Sequence, residues 1–278
     1  MPELPEVETV RKALKRQVLG KKIISANVYW QNIIAYPEVK VFEKKIKNQT
    51  IKNIERYGKW LMFELSNYYL LSHLRMEGKY FIRDRNSPKE KHEHVIFNFE
   101  DGTDLRYNDT RKFGKMYLLN KNEVFDVKPL SKLGLEPWDN NLTTEYLKNK
   151  FKRKPIKTEL LDQSIIVGIG NIYADEILFM SKINPVTIAT ELSKTDCQNI
   201  IDNTRKILSE AIEKGGTTIK SYTSSEGVHG RFQSHLLVHT KDKCPICQEK
   251  IDKITVGGRG TYYCKKCQKE RVVWKRQK

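Results

Sequence analysis

Apolar residues at 7, 10, 14 and 18, with Arg11, Lys12, Lys15 and Arg16 between them, predict an amphipathic helix that Gly20 ends. Beyond it the period shortens to that of strands. Segments 23–30, 51–57, 61–65, 69–74, 80–83, 95–99, 103–107 and 116–119 alternate apolar with polar residues or are rich in β-forming side chains, and Asp101-Gly102 marks a tight hairpin. One short helix, 39–46, interrupts the run. The pattern predicts a largely antiparallel β domain, a sandwich or flattened barrel, with the first helix packed on it. A turn-rich bridge follows at Gly134-Leu135-Glu136-Pro137-Trp138-Asp139-Asn140-Asn141. After it, segments 143–151, 156–161, 172–181 and 193–214 are helical in pattern, the last opened by Ser193-x-x-Asp196 and closed by Gly215-Gly216. A Thr/Ser/Gly-rich loop covers 217–230, and the tail from His235 is a cysteine module. The expected class is α+β in three domains, 1–134, 135–235 and 236–278.

Charge narrows the partner. The 278 residues carry 51 Lys and Arg against 34 Asp and Glu, a net +17, which points to nucleic acid first and an anionic membrane surface second. No apolar run reaches membrane-spanning length and the N-terminus is acidic, unlike a secretory signal, so a soluble intracellular protein is expected. Four of the five cysteines form Cys244-x-x-Cys247 and Cys264-x-x-Cys267, while Cys197 lies in a helical pattern, which favours metal ligation over a disulfide framework. Four thiolates around Zn²⁺ make a closed structural site with no position for a catalytic water. A redox role fits less well, because the pair is repeated without a thioredoxin-like context. Residues 241–278 hold 12 Lys and Arg against 4 Asp and Glu, a net +8 that favours phosphate contact. Within them Gly257-Gly258-Arg259-Gly260 sets Arg259 at a hairpin tip where its guanidinium could reach phosphate, or could simply be solvated.

The opening residues Met1-Pro2-Glu3-Leu4-Pro5-Glu6-Val7-Glu8 put an amine and several carboxylates at one helix start. Removal of Met1, which a small second residue permits, would leave Pro2 with a free secondary amine, whose iminium adducts need no further proton. An α-amino group titrates near ~8, so burial or a cationic neighbour would be needed to keep it unprotonated. Pro5 suits the first helical turn, Glu6 and Glu8 suit its positive end, and Glu3 is a candidate proton donor. On these residues alone the favoured reading is a plain capped amphipathic helix in which Pro2 has no task. Gly168-Ile169-Gly170-Asn171 enters a helix, where free N–H groups and the Asn171 amide could hold phosphate; it is also ordinary turn chemistry. Met76, in Ser72-His73-Leu74-Arg75-Met76-Glu77-Gly78, and Arg111 and Phe113, in Tyr107-Asn108-Asp109-Thr110-Arg111-Lys112-Phe113-Gly114, could wedge into a duplex and fill the space of an extruded nucleotide. Singly, Met76 and Phe113 read as packing residues and Lys59 as a surface lysine.

Taken in order, these pieces resemble the formamidopyrimidine-DNA glycosylase family of bacterial base-excision repair enzymes, over the whole chain. The resemblance implies an N-terminal antiparallel β-sandwich with a catalytic N-terminal helix, a helix–two-turn–helix domain and a C-terminal zinc-finger hairpin. It also implies one structural Zn²⁺ on Cys244, Cys247, Cys264 and Cys267, and no catalytic metal. The implied partner is duplex DNA with oxidised bases or abasic sites, held in the cleft between domains by a monomer of the bacterial cytoplasm that associates with the nucleoid through DNA. By the same resemblance Pro2 attacks C1′ and displaces the base, Glu3 is acid/base, and Lys59 binds phosphate beside the reacting nucleotide and assists catalysis. The iminium acidifies C2′–H, and β- then δ-elimination cut the strand. Glu6 shapes the active site, His73 is a DNA-contacting position, and Met76, Arg111 and Phe113 fill the void. Asn171 and Arg259 contact phosphate, Arg259 counting with the catalytic set as well. The 217–230 loop closes over an extruded oxidised purine, with Lys157 and Tyr222 nearby.

The implied substrates are 8-oxoguanine and formamidopyrimidines. The related endonuclease VIII group, which takes oxidised pyrimidines, is the same-fold alternative, although its usual opening has Gly in place of Leu4. A non-catalytic zinc-finger DNA-binding protein is the alternative of another class. The sequence departs from the family pattern at Thr110, where Pro is common, at Arg75 and Glu77, where smaller residues are usual, and at Gln248, in place of a frequent Gly. The approach to the finger, 238–243, is about two residues short, which puts that segment's phosphate contacts in question.

Overall fold

The computed structural model describes residues 1–217 and 231–269; Tyr222 and the remainder of the expected loop after Thr217 lie outside the described residues. The chain divides into two compact units, one comprising Met1–Ser131 with Gly215–Gly230, the other Lys132–Lys214 with Arg231–Lys278. The helical segments and the cysteine hairpin thus share one unit.

In the first unit, α1 (Leu4–Val18) opens with Pro in its first turn and buries Leu4, Val7, Val10, Ala13, Leu14 and Val18. That is the predicted stripe, and each fully buried Val or Leu contributes about 1.5–3 kcal/mol. The β elements are β1 (Lys22–Val28), β2 (Ile34–Tyr36), then after α2 (Val39–Ile46) β3 (Gln49–Tyr57), β4 (Trp60–Leu65), β5 (Tyr68–His73), β6 (Lys79–Asp84), β7 (Glu93–Phe99), β8 (Thr103–Asn108) and β9 (Lys115–Asn120). They run in the order β2-β9-β5-β4-β3-β1-β7-β8-β6. β1 meets β3 only through Lys22↔Thr50 and Ile23↔Gln49, so the sheet folds there into two leaves. Ile54, Phe63, Leu65, Leu70 and Met116 from one leaf and Ile23, Val95, Phe97, Phe99 and Leu105 from the other join Val7, Val10 and Leu14 of α1 in one buried cluster. This is the sandwich and its helix. The strands pair antiparallel except β2 with β9, a short parallel edge that the sequence pattern did not predict; three residues are too few to display a period.

In the second unit, α3 (Thr144–Lys150), α4 (Ile156–Leu161), α5 (Asn171–Met180) and α6 (Lys194–Glu213) precede the hairpin of β10 (Asp252–Val256) and β11 (Arg259–Tyr263). Ser193 caps α6 as expected, its hydroxyl accepting from the Asp196 N–H at 3.1 Å while its own N–H donates to the Asp196 carboxylate at 3.0 Å. The hairpin turns on Gly257 and Gly258 at φ 56° and 75°, the left-handed pair that a two-residue turn requires. Phe179 of α5 packs in a buried cluster with Val238, Cys244, Ile251 and Cys264, which seats the hairpin on that helix. Among the described residues no helix is long and apolar enough to cross a membrane.

Candidate active site and nucleic-acid interface

The start of α1 is held by its own carboxylates. The Glu3 N–H donates to Glu6 Oε2 at 2.9 Å, and Glu6 Oε1 accepts from the Thr217 N–H at 2.8 Å and its hydroxyl at 3.1 Å. Gly216, at φ 78°, has no room for a side chain, since a Cβ there would lie 2.6 Å from Glu6 Oε1. Glu3, Glu6 and Pro2 are buried. Burial pushes the amine of Met1 below its ordinary pKa; Glu3 and Glu6 oppose the shift, and Lys59 and Arg111 reinforce it. Two acids and two cations from three parts of the unit therefore act on the first atoms of the chain.

Lys59 is no ordinary surface lysine. It is 5% exposed and follows Gly58, whose φ of 55° makes the tight turn between β3 and β4. That turn is tied to the helix through Glu8, which pairs with Arg11 at 2.7 Å and Arg56 at 3.3 Å, while Arg56 donates to the Gly58 carbonyl at 3.1 Å. Sequence reading credited Glu8 only with suiting the helix dipole. On the next strand His73 sits opposite Trp60, with ring centroids 4.8 Å apart and edge to face. Its Nδ1 accepts from the Arg75 N–H at 3.0 Å, so the neutral ring carries its proton on Nε2. Burial first, then the charges of Arg75 and Lys59, push the His73 pKa from 6.5 down to about 3. The unfolded chain binds this proton and the folded one does not. Stability therefore rises with pH between about 3 and 6.5 and is lost as pH falls through that window. His73→Gln is expected to flatten that slope in urea titrations; an unchanged slope contradicts the assignment.

Met76 and Phe113 are the reverse of core residues, 36% and 49% exposed. The Arg111 guanidinium lies over the Phe113 ring, 4.7 Å from its centroid. Both turns carry a left-handed residue beside these side chains, Arg75 at φ 54° and Lys112 at φ 59°. Two departures from the family pattern meet here, because the Thr110 hydroxyl donates to the Glu77 carboxylate.

In the second unit Asn171 opens α5 and donates from Nδ2 to the Gly260 carbonyl at 2.9 Å, bracing the hairpin strand that carries exposed Arg259. Lys157 pairs with Asp175, and neither side chain has any exposed surface, so the Lys157 ammonium points into the fold and not toward solvent. Asp175 also meets His239 Nδ1 at 2.6 Å and accepts from the Tyr262 N–H at 3.2 Å. Its neighbour Glu176 accepts from the N–H groups of Leu237, Val238 and His239 at 2.7, 3.0 and 2.8 Å. Burial pushes the Glu176 carboxyl up, and these three donors hold it down. The short approach to the finger is thereby clamped to α5. Sequence reading missed Asp175 and Glu176, whose only signal is their place directly after the glycine-rich turn. The four Sγ atoms of Cys244, Cys247, Cys264 and Cys267 lie within 4.8 Å of one another, with Cys244–Cys267 at 3.8 Å and Cys247–Cys264 at 3.5 Å. A tetrahedron of sulfurs about 2.3 Å from Zn²⁺ has edges of about 3.8 Å, so the set fits one structural zinc. Gln248, at φ 61°, occupies a left-handed position that suits the Gly usual in the family.

Pro2 and Glu3 are buried at a helix start on the β-sandwich unit, which also exposes Met76 and Phe113, and the helical unit carries a four-cysteine hairpin that fits zinc. The formamidopyrimidine-DNA glycosylase N-terminal domain model matches residues 1–116, the H2TH domain model of the same family residues 133–223, and a zinc finger found in FPG and IleRS residues 241–269. The formamidopyrimidine-DNA glycosylase of Exiguobacterium sibiricum is 49% identical over 273 residues, 96% of this chain and 99% of that protein. That of Bacillus subtilis is 47% identical over the same shares. A solved complex of Lactococcus lactis Fpg with abasic-site DNA superposes with a TM-score of 0.89 at 37% identity, covering 96% of this chain and all of that one. A mutant of the same protein bound to Fapy-dG-containing DNA gives 0.90 at 37% identity, covering 97% and 100%. The chain belongs to the formamidopyrimidine-DNA glycosylase family.

Proposed function

We propose that this chain removes 8-oxoguanine and formamidopyrimidines from duplex DNA and then cuts the strand, with Pro2 as the nucleophile once Met1 has been removed. The observation that carries the reading is the helix start itself, where Pro2, Glu3, Glu6 and Lys59 are buried and Glu6 is bonded to both the Glu3 and the Thr217 N–H groups. Burial there, with Lys59 and Arg111, also lowers the pKa of the Met1 amine against the pull of Glu3 and Glu6. The amine of Pro2 bonds to C1′ as the C1′–N bond to the damaged base breaks, the Pro2 N–H proton leaves with the departing base, and Glu3 gives a proton to the sugar ring oxygen, opening the ring to an iminium. With positive charge beside it, C2′ loses a proton and the C3′–O bond breaks; a second elimination breaks the C5′–O bond. Water then releases Pro2 from the sugar remnant. Lys59 holds the phosphate beside the reacting nucleotide, and Glu6 keeps the helix start in place.

Met76, Arg111 and Phe113 enter the stack when the nucleotide leaves it, an assignment their exposure supports. Asn171 and Arg259 face phosphate, and the zinc, when bound, supplies structure to the hairpin and no step of the reaction. The enzyme works as a monomer on DNA in the bacterial cytoplasm.

Excision from duplexes carrying 8-oxoguanine or thymine glycol tests the substrate. The expected result is faster release of 8-oxoguanine. Preference for thymine glycol would place the chain with oxidised-pyrimidine enzymes, and tight binding without release of either base would make it a binding protein.

A further inference from the structure

The two turns that carry the wedge rest on one side chain. Tyr107, at the end of β8, is fully buried, and its phenol lies between Gly78 and Gly114. A Cβ on Gly78 would stand 2.3 Å from the Tyr107 oxygen, and one on Gly114 only 1.8 Å, so both backbones lie against the same hydroxyl. Gly78 closes its turn by donating to the Leu74 carbonyl at 2.9 Å, two residues after Met76. Gly114 directly follows Phe113. The Tyr107 hydroxyl donates to Asp109 Oδ2 at 3.3 Å, an oxygen that also accepts from the Gly114 N–H at 2.8 Å, while Oδ1 accepts from the Arg111 N–H at 3.0 Å. Asp109 is likewise fully buried. Burial, helped by the Asp109 charge, pushes the hydroxyl's pKa well above its ordinary value, so it remains a donor.

From this geometry we infer that Tyr107, with Asp109, is a positioning residue that sets Met76 at a fixed distance from Arg111 and Phe113, so that the wedge enters the duplex as one body. The inference rests on the functional reading above. The Thr110–Glu77 bond ties the same two turns at the surface and acts in the same sense.

The test is Tyr107→Phe, which keeps the ring and deletes the shared oxygen. Insertion is followed by the fluorescence of 2-aminopurine placed beside 8-oxoguanine, and chemistry by nicking of a preformed abasic-site duplex, where no base has to be driven out. The expected result is a fall of about tenfold in the insertion rate and in kcat on 8-oxoguanine, with KM and abasic-site nicking within about twofold of native. Asp109→Asn, which turns one accepting oxygen into a donor, should reproduce that pattern. An unchanged insertion rate in Tyr107→Phe overturns the inference, as does an equal loss on both substrates, which would make Tyr107 a residue of the fold alone. A native chain that releases no 8-oxoguanine removes the functional reading and this inference with it.

Discussion

Replacing Pro2 by glycine is expected to lower nicking of an abasic-site duplex by about 100-fold while leaving lesion binding near native. The substitution keeps an amine at the first position after Met1 removal, so the loss measures what the proline ring contributes. A ring nitrogen forms an iminium that is permanently charged, whereas a primary amine forms an imine that must be protonated before it draws electrons from C2′. The ring also fixes the direction of the nitrogen lone pair at a helix start whose Glu3 and Glu6 are already bonded in place. Steady-state nicking rates beside gel-shift affinities check both halves. A glycine variant that nicks at the native rate would place the nucleophile elsewhere.

Removing the zinc is the second large effect. Structural Zn²⁺ in small cysteine sites is bound with about 10–16 kcal/mol, more than one two-stranded hairpin can recover by pairing and packing. Chelation, or Cys264→Ala, is therefore expected to release one zinc per chain and to unfold the β10–β11 hairpin. Arg259, the proposed phosphate contact, then loses the hairpin that carries it, and a charge-assisted contact of that kind is worth about 1.5–3 kcal/mol, roughly 10–100-fold in affinity for DNA. The sandwich, with its separate core, should keep its near-ultraviolet signal. A chromophoric chelator counts the metal and a salt-controlled binding curve reads the affinity. Native affinity in fully zinc-free protein would contradict the assignment.

Much of this molecule was legible because local chemistry and final structure agree. The apolar positions 7, 10, 14 and 18 are all buried in α1, the Ser193 box caps α6, and Gly257-Gly258 turns the zinc hairpin. The four cysteines were legible from spacing alone, since each pair reaches one ion without help from the rest of the fold. What escaped depends on partners distant in sequence. Asp175 and Glu176 look like a solvated helix face until Lys157, His239 and the backbone of 237–239 close on them. Tyr107 reads as one more strand tyrosine, and only the approach of two glycines from separate turns gives it a task. Met76 and Phe113 show the converse, since apolar type alone suggested packing and exposure says otherwise. Thr110 and Glu77, separate irregularities in the text, are one hydrogen bond in space.

Strand cleavage through Pro2 requires a covalent bond between the first residue of the processed chain and deoxyribose. Borohydride reduction of the native protein on an abasic-site duplex, followed by peptide mapping of the trapped complex, tests it directly. The predicted adduct is on a peptide that starts at Pro2 and lacks Met1. An adduct on the peptide bearing Lys59, or efficient trapping by protein that retains Met1, would contradict it.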